Sequence, residues 1–276
     1  MSLLDSLNPE QLAAVTLPRE SALILAGAGS GKTKVLTARI AWLIQTGQVG
    51  PNGVLAVTFT NKASKEMLHR ISTMLPINTR SMWVGTFHGL CNRMLRAHWK
   101  EAGLPQAFQI LDMQDQLSAI KRMYKVLGID AEKFPPKQLS YFVGSAKDQG
   151  LRPKDVEAHD EYHRMMVRLY EAYEAQCQRE GVVDFAELLL RSFELLGANP
   201  TLREHYQARF KYILVDEFQD TNSLQYNWLK RLAGPQGCIF AVGDDDQSIY
   251  AFRGARVANM VQFESDFNVQ NRIKLE

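Results

Sequence analysis

Cysteine is scarce: Cys91, Cys177 and Cys238 are the only three in 276 residues, far apart and without a CxxC pair. That spacing argues against a structural metal and fits a reducing, cytoplasmic compartment. Charge of one sign is not in excess either. Lys and Arg number 32 against 30 Asp and Glu, a net +2, so any basic surface has to be local. No apolar run approaches the ~20 residues that span a bilayer, so no membrane partner is expected. The opening MSLLDSLNPEQ lacks the basic n-region and apolar core of a signal peptide. Internal repeats and low-complexity tracts are absent. The length suffices for a full core in one or two domains.

What is present is concentrated at Ser21 to Thr33, SALILAGAGSGKT. The apolar run Ala22 to Leu25 predicts a buried strand. It breaks into Ala26, Gly27, Ala28, Gly29, Ser30 and Gly31, and Lys32 and Thr33 open a helical pattern through Val35, Leu36, Ile40 and Leu43. Strand, glycine-rich loop and helix form the context of a phosphate-binding loop. Glycines let backbone N–H groups crowd a polyphosphate, and the helix points its positive end at the anion. Lys32 offers a point charge, and the Thr33 hydroxyl a ligand for Mg²⁺. Ala26 stands where the strict pattern has glycine, which a negative φ would tolerate. The competing reading is an ordinary glycine-rich βα turn.

Residues 8–17 predict a short helix with Asn8 as N-cap and Pro9 in its first turn. Gln11 lies just ahead of the loop; its amide suits an adenine edge, and a surface glutamine is the alternative. Val54 to Thr58 and Met82 to Thr86 predict two further buried strands, each running into a helix. Buried strands alternating with helices predict an α/β fold with a parallel sheet. Ligands of such sheets bind beyond the carboxyl ends of the strands, where Phe59, Asn61, Phe87 and His88 fall. Aromatic and polar groups together suit the stacked bases of a single strand. Equally, Phe59 and Phe87 could be core residues beneath their helices.

Residues 90–209 read as a helical block with no buried strand, set between strands of the sheet. Asp112 and Asp184 predict N-caps, Pro135-Pro136 opens a helix, and Glu161 to Arg179 forms a long amphipathic one. Arg93, Arg96 and Lys100 share a helical face, either a backbone-binding stripe or a solvated surface.

Tyr212 to Val215 returns to buried strand and ends in Asp216-Glu217-Phe218-Gln219-Asp220. Adjacent carboxylates at a buried strand end are costly unless they hold a metal or do chemistry. Adjacent strand residues point to different sides, so one can ligate Mg²⁺ and the other orient and deprotonate an attacking water; we take Asp216 for the metal and Glu217 for the water. A carboxylate-rich helix start is the competing reading. Cys238 to Val242 predicts the next strand. It runs into Gly243-Asp244-Asp245-Asp246-Gln247, where Gln247 could touch a γ-phosphate. Tyr250, Phe252 and Arg253 follow as a cluster suited to base stacking and a phosphate contact, or as a buried aromatic pair.

Gln11, AGAGSGKT from Ala26, TFTNKA from Thr58, GTFHG from Gly85, VDEFQDTN from Val215 and VGDDDQSIYAFRGA from Val242 stand in one order. In this set of motifs the chain resembles the UvrD/Rep/PcrA family of superfamily 1 DNA helicases along its whole length. The resemblance implies a RecA-like first motor domain, 1A, formed by residues 1–89 and 210–276. It implies an inserted all-helical subdomain, 1B, at 90–209. It also implies ATP- and Mg²⁺-dependent 3′-to-5′ movement on single-stranded DNA and at ss/ds junctions. On this sequence the loop from Ala26 to Lys34, with Gln11, would hold nucleotide. Asp216 and Glu217 would keep the roles given above, and Gln247 and Arg253 would couple γ-phosphate to DNA. Phe59, Asn61, His88, Tyr250 and Phe252 would face the strand. Lys34 replaces the family's usual Arg, and Phe252 its usual Trp. Family members continue past Glu276 into a second RecA-like domain. A truncated chain is therefore expected to bind nucleotide and DNA weakly, with little ATPase and no unwinding. Two other classes stay open: a DNA- or partner-binding module with a non-turning-over ATP site, and a P-loop ATPase unrelated to DNA. RNA in place of DNA is a further alternative.

Overall fold

The structure, a computed structural model, describes residues 2–244 and 254–276, the stretch 254–257 by its backbone alone. The described residues divide into two compact units, 1–90 with 199–276, and 91–198.

The first unit opens with helix α1 (Pro9–Val15), strand β1 (Ala22–Ala26) and helix α2 (Lys32–Gln45). Strand β2 (Val54–Thr58), helix α3 (Asn61–Met74), strand β3 (Trp83–Thr86) and helix α4 (Phe87–Ala97) follow. Asn8 caps α1 as expected: its side chain accepts from the Gln11 N–H, and the Gln11 side chain returns the bond to the Asn8 N–H. Every residue of β1 and β2 is buried. Such strands, apolar on both faces, belong inside a parallel sheet covered by helices.

The second unit holds strand β4 (Gln109–Leu111) and helices α5 (Met113–Leu127), α6 (Pro136–Asp148) and α7 (Glu161–Glu180). Strand β5 (Val182–Asp184) and helix α8 (Phe185–Ala198) complete it. Asp112 and Asp184 occupy the expected cap positions. The block is not wholly helical, because β4 and β5 pair as a two-stranded parallel ribbon. Three-residue strands are too short to leave a periodic signal. Its apolar core gathers Ile120, Leu139, Val143, Met166, Tyr170 and Tyr173.

Helix α9 (Pro200–Arg209) returns to the first unit rather than ending the insertion, because Tyr206 and the following Phe210 set their rings edge-on against Trp83 of β3. Strand β6 (Tyr212–Val215), helix α10 (Ser223–Ala233), strand β7 (Ile239–Asp244), helix α11 (Gly254–Asp266) and strand β8 (Asn271–Leu275) close the chain. The six-stranded sheet runs β3-β2-β6-β7-β1-β8, parallel throughout. Thus β7 lies between the strand that feeds the glycine loop and the strand that ends in the paired carboxylates.

Candidate active site

The glycine loop leaves β1 at Ala26, which is buried and in register with Asp244 of β7. Ala26 is not among the described residues with positive φ, so glycine is dispensable there. Gly29 and Gly31 do take left-handed backbone, φ 76° and 80°. A Cβ on Gly27 or Gly29 would meet no atom within 4 Å. These glycines therefore border open space rather than packing, as a cradle for a phosphate chain requires. Gly31 caps α2, whose first N–H groups have no helical acceptor; the Val35 N–H is the first to reach a loop carbonyl, that of Gly31. The anion-attracting end of a helix thus opens at Lys32 and Thr33.

Gln11 braces this loop. Its Nε2 donates to the Ser30 carbonyl (3.2 Å), while its Oε1 accepts from the Asn8 N–H (3.0 Å). Ser30 turns its hydroxyl back on the Gly27 carbonyl. Lys34 donates to the Ser6 carbonyl. Arg39, which sequence reasoning passed over, holds α1 from below. Its guanidinium is 1% exposed, donates to the carbonyls of Val15, Leu17 and Pro18, and lies 4.7 Å from the centre of the Phe240 ring. An arginine within the apolar stripe Val35, Leu36, Ile40, Leu43 was the signal available for it.

Two strands along the sheet, β6 delivers the carboxylates. The strand ends at Val215, and the Asp216 N–H still donates to the Val57 carbonyl. The two acidic side chains do not part by strand pleating, as expected from sequence. Instead Glu217 takes φ 50°, ψ 43°, a left-handed conformation uncommon for a side chain with a Cβ. That turn aims Glu217 at the loop, where Lys32 Nζ meets its Oε1 at 2.5 Å. Asp216 Oδ1 accepts the Glu217 N–H. Gln219 donates from Nε2 to the second oxygen of Glu217 at 2.5 Å. Burial works against the Lys32 ammonium. The hydrogen bond and charge of Glu217, with Asp216 and Asp244 beyond, outweigh it and lift its pKa above the ordinary value. Asp216 is 8% exposed. Burial and the Glu217 charge raise its pKa, against the Glu217 N–H and Lys32.

Among the described residues no cluster of three or more His, Cys, Asp or Glu could hold a metal ion unaided. A single buried carboxylate such as Asp216 suits Mg²⁺ delivered with a nucleotide, since that ion typically uses one or two carboxylates plus substrate oxygens.

Of the other expected residues, Phe59, Asn61 and His88 gather at the adjacent ends of β2 and β3. Phe87 resolves to core: it is 2% exposed and packs edge-on against Trp228. Phe59 is half-buried over Phe87 at 5.6 Å, and Asn61 is exposed. Gln247, Tyr250, Phe252 and Arg253 lie outside the described residues. The helix ends at Ala97, so Lys100 does not share its face with Arg93 and Arg96, and Arg96 is not a free cation. Arg96 stacks 3.6 Å above the Phe108 ring and donates to the Phe108 carbonyl.

A parallel α/β sheet with this loop, helix and carboxylate pair at its carboxyl end defines a RecA-like P-loop nucleotide-binding domain. Residues 7–268 match the UvrD/REP helicase N-terminal domain, and the chain belongs to that family. It is 51% identical over 275 residues to DNA helicase II of Escherichia coli strain K12, and 50% identical over 279 residues to that of Haemophilus influenzae. It is 41% identical over 277 residues to the ATP-dependent DNA helicase PcrA of Staphylococcus aureus. These alignments cover 99–100% of the chain but only 38% of each relative. Among the described residues no helix is long and apolar enough to cross a membrane.

Proposed function

We propose that this chain is the ATP-binding part of a DNA helicase that moves 3′-to-5′ along single-stranded DNA, with unit 91–198 as its inserted 1B subdomain. The observation that carries the reading is the Lys32–Glu217 contact, which joins the glycine loop to the strand-end carboxylates across the end of β7. The relatives' names support the reaction class. The cytoplasm would be its setting, and single strands and their junctions with duplex its substrates.

Gln11 would read adenine, and the loop from Ala26 to Lys34 would receive the phosphates. Bound with the nucleotide, Mg²⁺ would neutralise charge developing on the phosphate oxygens. Thr33 and Asp216 would hold it. Lys32 exchanges its carboxylate partner for phosphate, which frees Glu217 to orient water and accept its proton. Phe59, Asn61 and His88, with Tyr250 and Phe252, would meet the DNA bases. Gln247 and Arg253 would link phosphate to DNA. A second motor domain, the partner of this one, would supply arginines worth ~10³–10⁵ in rate.

ATP hydrolysis with and without single-stranded DNA tests this, on the chain and on the chain extended to its relatives' length. DNA-stimulated turnover confined to the extended form and abolished by Glu217→Gln is expected. Equal, DNA-independent turnover in both forms would overturn it.

A further inference from the structure

Gln219 is assigned no role by the nucleotide site as derived above, yet it occupies the gap between the site's two halves. The sheet order puts β7 between β6 and β1. Lys32 reaches Glu217 over the end of that middle strand. Beneath this contact the Gln219 side chain, 5% exposed, joins Glu217 to β7: Nε2 donates to Glu217 Oε2 at 2.5 Å, and Oε1 accepts the Asp244 N–H at 3.0 Å. The partners force the orientation of the amide. A backbone N–H can only donate and an ionised carboxylate can only accept, so the oxygen faces Asp244 and the NH₂ faces Glu217. Among side chains of this length only glutamine supplies both at neutral pH. The approach is close on the other side as well. A Cβ on Gly243 would come within 3.2 Å of Gln219 Oε1.

We propose that Gln219 is a positioning residue, which holds the Glu217 carboxylate in place for water and ties that placement to the end of β7. The inference rests on the proposed role of Glu217. Glu217 has two held oxygens, one on Lys32 and one on Gln219. When Lys32 turns to phosphate, the Gln219 amide is the restraint that stays. Glu217 needs it, because its left-handed backbone leaves the side chain at a turn rather than on a strand.

The test is steady-state ATP hydrolysis at saturating single-stranded DNA by the chain extended to its relatives' length. Fluorescent-nucleotide affinity and thermal unfolding are measured beside it. Gln219→Glu keeps the acceptor for Asp244 but turns the donor to Glu217 into a like charge. Gln219→Met keeps the volume and loses both bonds. Displacing a catalytic group by ~1 Å can cost about 10²-fold. The expected result is a kcat lowered by about that factor in Gln219→Glu, with nucleotide Kd within about twofold of the parent; Tm should fall modestly, as a buried like charge beside Glu217 requires, with the protein still folded at the assay temperature. Gln219→Met should lose kcat similarly, and Gly243→Ala, which presses on the amide, to a smaller extent. Parental kcat in Gln219→Glu, while Glu217→Gln is inactive, overturns this inference and leaves the proposed function standing. Parental kcat in Glu217→Gln as well overturns both.

Discussion

The side-chain amide of Gln11 spans from helix α1 to the glycine loop and donates to the carbonyl of Ser30 at 3.2 Å. The residue proposed to read the base is thereby fixed to the loop proposed to hold the phosphates. Gly31 lies directly below it. A Cβ there would meet Gln11 Nε2 at 2.6 Å, on a backbone at φ 80°. Left-handed backbone costs an L residue ~1–2 kcal/mol before any clash. Gly31→Ala is expected to lower Tm and weaken nucleotide binding. In a Gln11→Ala background the same substitution should cost less, since only the backbone strain remains. Thermal unfolding of the four proteins in this cycle measures the difference. Equal costs in both backgrounds would rule out the contact.

Asp216 is expected to trade stability for function. Burial and Glu217 raise its pKa in the folded state, so the fold binds this proton more tightly than the unfolded chain does. The charged form is therefore a cost, which appears as pH rises through the raised value and is absent below about 4, where the carboxyl is protonated in both states. Asp216→Asn keeps an oxygen for the Glu217 N–H and removes that cost. At pH 7, without nucleotide or Mg²⁺, it should raise Tm by roughly 2–4 °C if the relief is about 1 kcal/mol. The gain should vanish in acid. Calorimetry across pH checks the sign, and a lower Tm at pH 7 would contradict it.

The sheet, the glycine loop and the paired carboxylates at the end of β6 were legible because each depends on local pattern. Val54 to Thr58 is apolar throughout, and strands buried on both faces read that way. Asn8, Asp112 and Asp184 announce their helices because a cap acts over three residues. What stayed hidden depends on distant partners. Gln219 looks like one of four polar residues in a run of five, and one of its two partners, Asp244, lies twenty-five positions on. Phe59 and Phe87 share a composition that suits either core or stacking. Only the packing of Phe87 onto Trp228 separates them. Strand β8 alternates half-buried and exposed positions at the sheet's edge, too weakly apolar to stand out.

Glu187 should carry much of the stability of unit 91–198. It is 4% exposed, and Lys147, Arg152 and Arg191 all reach its carboxylate, at 2.7–3.0 Å. Burial alone would raise its pKa, but these cations reverse the effect and hold it well below the usual carboxylate range. The stabilisation is then present above the unfolded value of about 4.3 and lost as pH falls toward the depressed folded one. Removing one partner of a buried ion pair costs about 3–5 kcal/mol, because the other charges are stranded. Glu187→Gln should therefore destabilise this unit by that order at pH 7, and by less as pH falls below 4. Denaturant unfolding at several pH values, read by hydrogen exchange within 91–198, tests it. A pH-independent loss would show that packing rather than charge is responsible.

Arg96 separates a binding residue from a structural one. Its guanidinium stacks on Phe108 and donates to that residue's carbonyl, so it is committed within its own unit. A phosphate contact contributes about one unit to the slope of log affinity against log salt concentration. A stacked cation contributes instead ~0.5–2 kcal/mol to the fold. Arg96→Ala in the extended protein should then leave the salt slope of DNA binding unchanged while amide exchange around Phe108 accelerates. Arg96→Lys should not restore protection, since an ammonium lacks the planar face that stacks on the ring. A slope reduced by one, with exchange unaltered, would favour the backbone-binding stripe over the solvated surface, the two readings the sequence left open for Arg96.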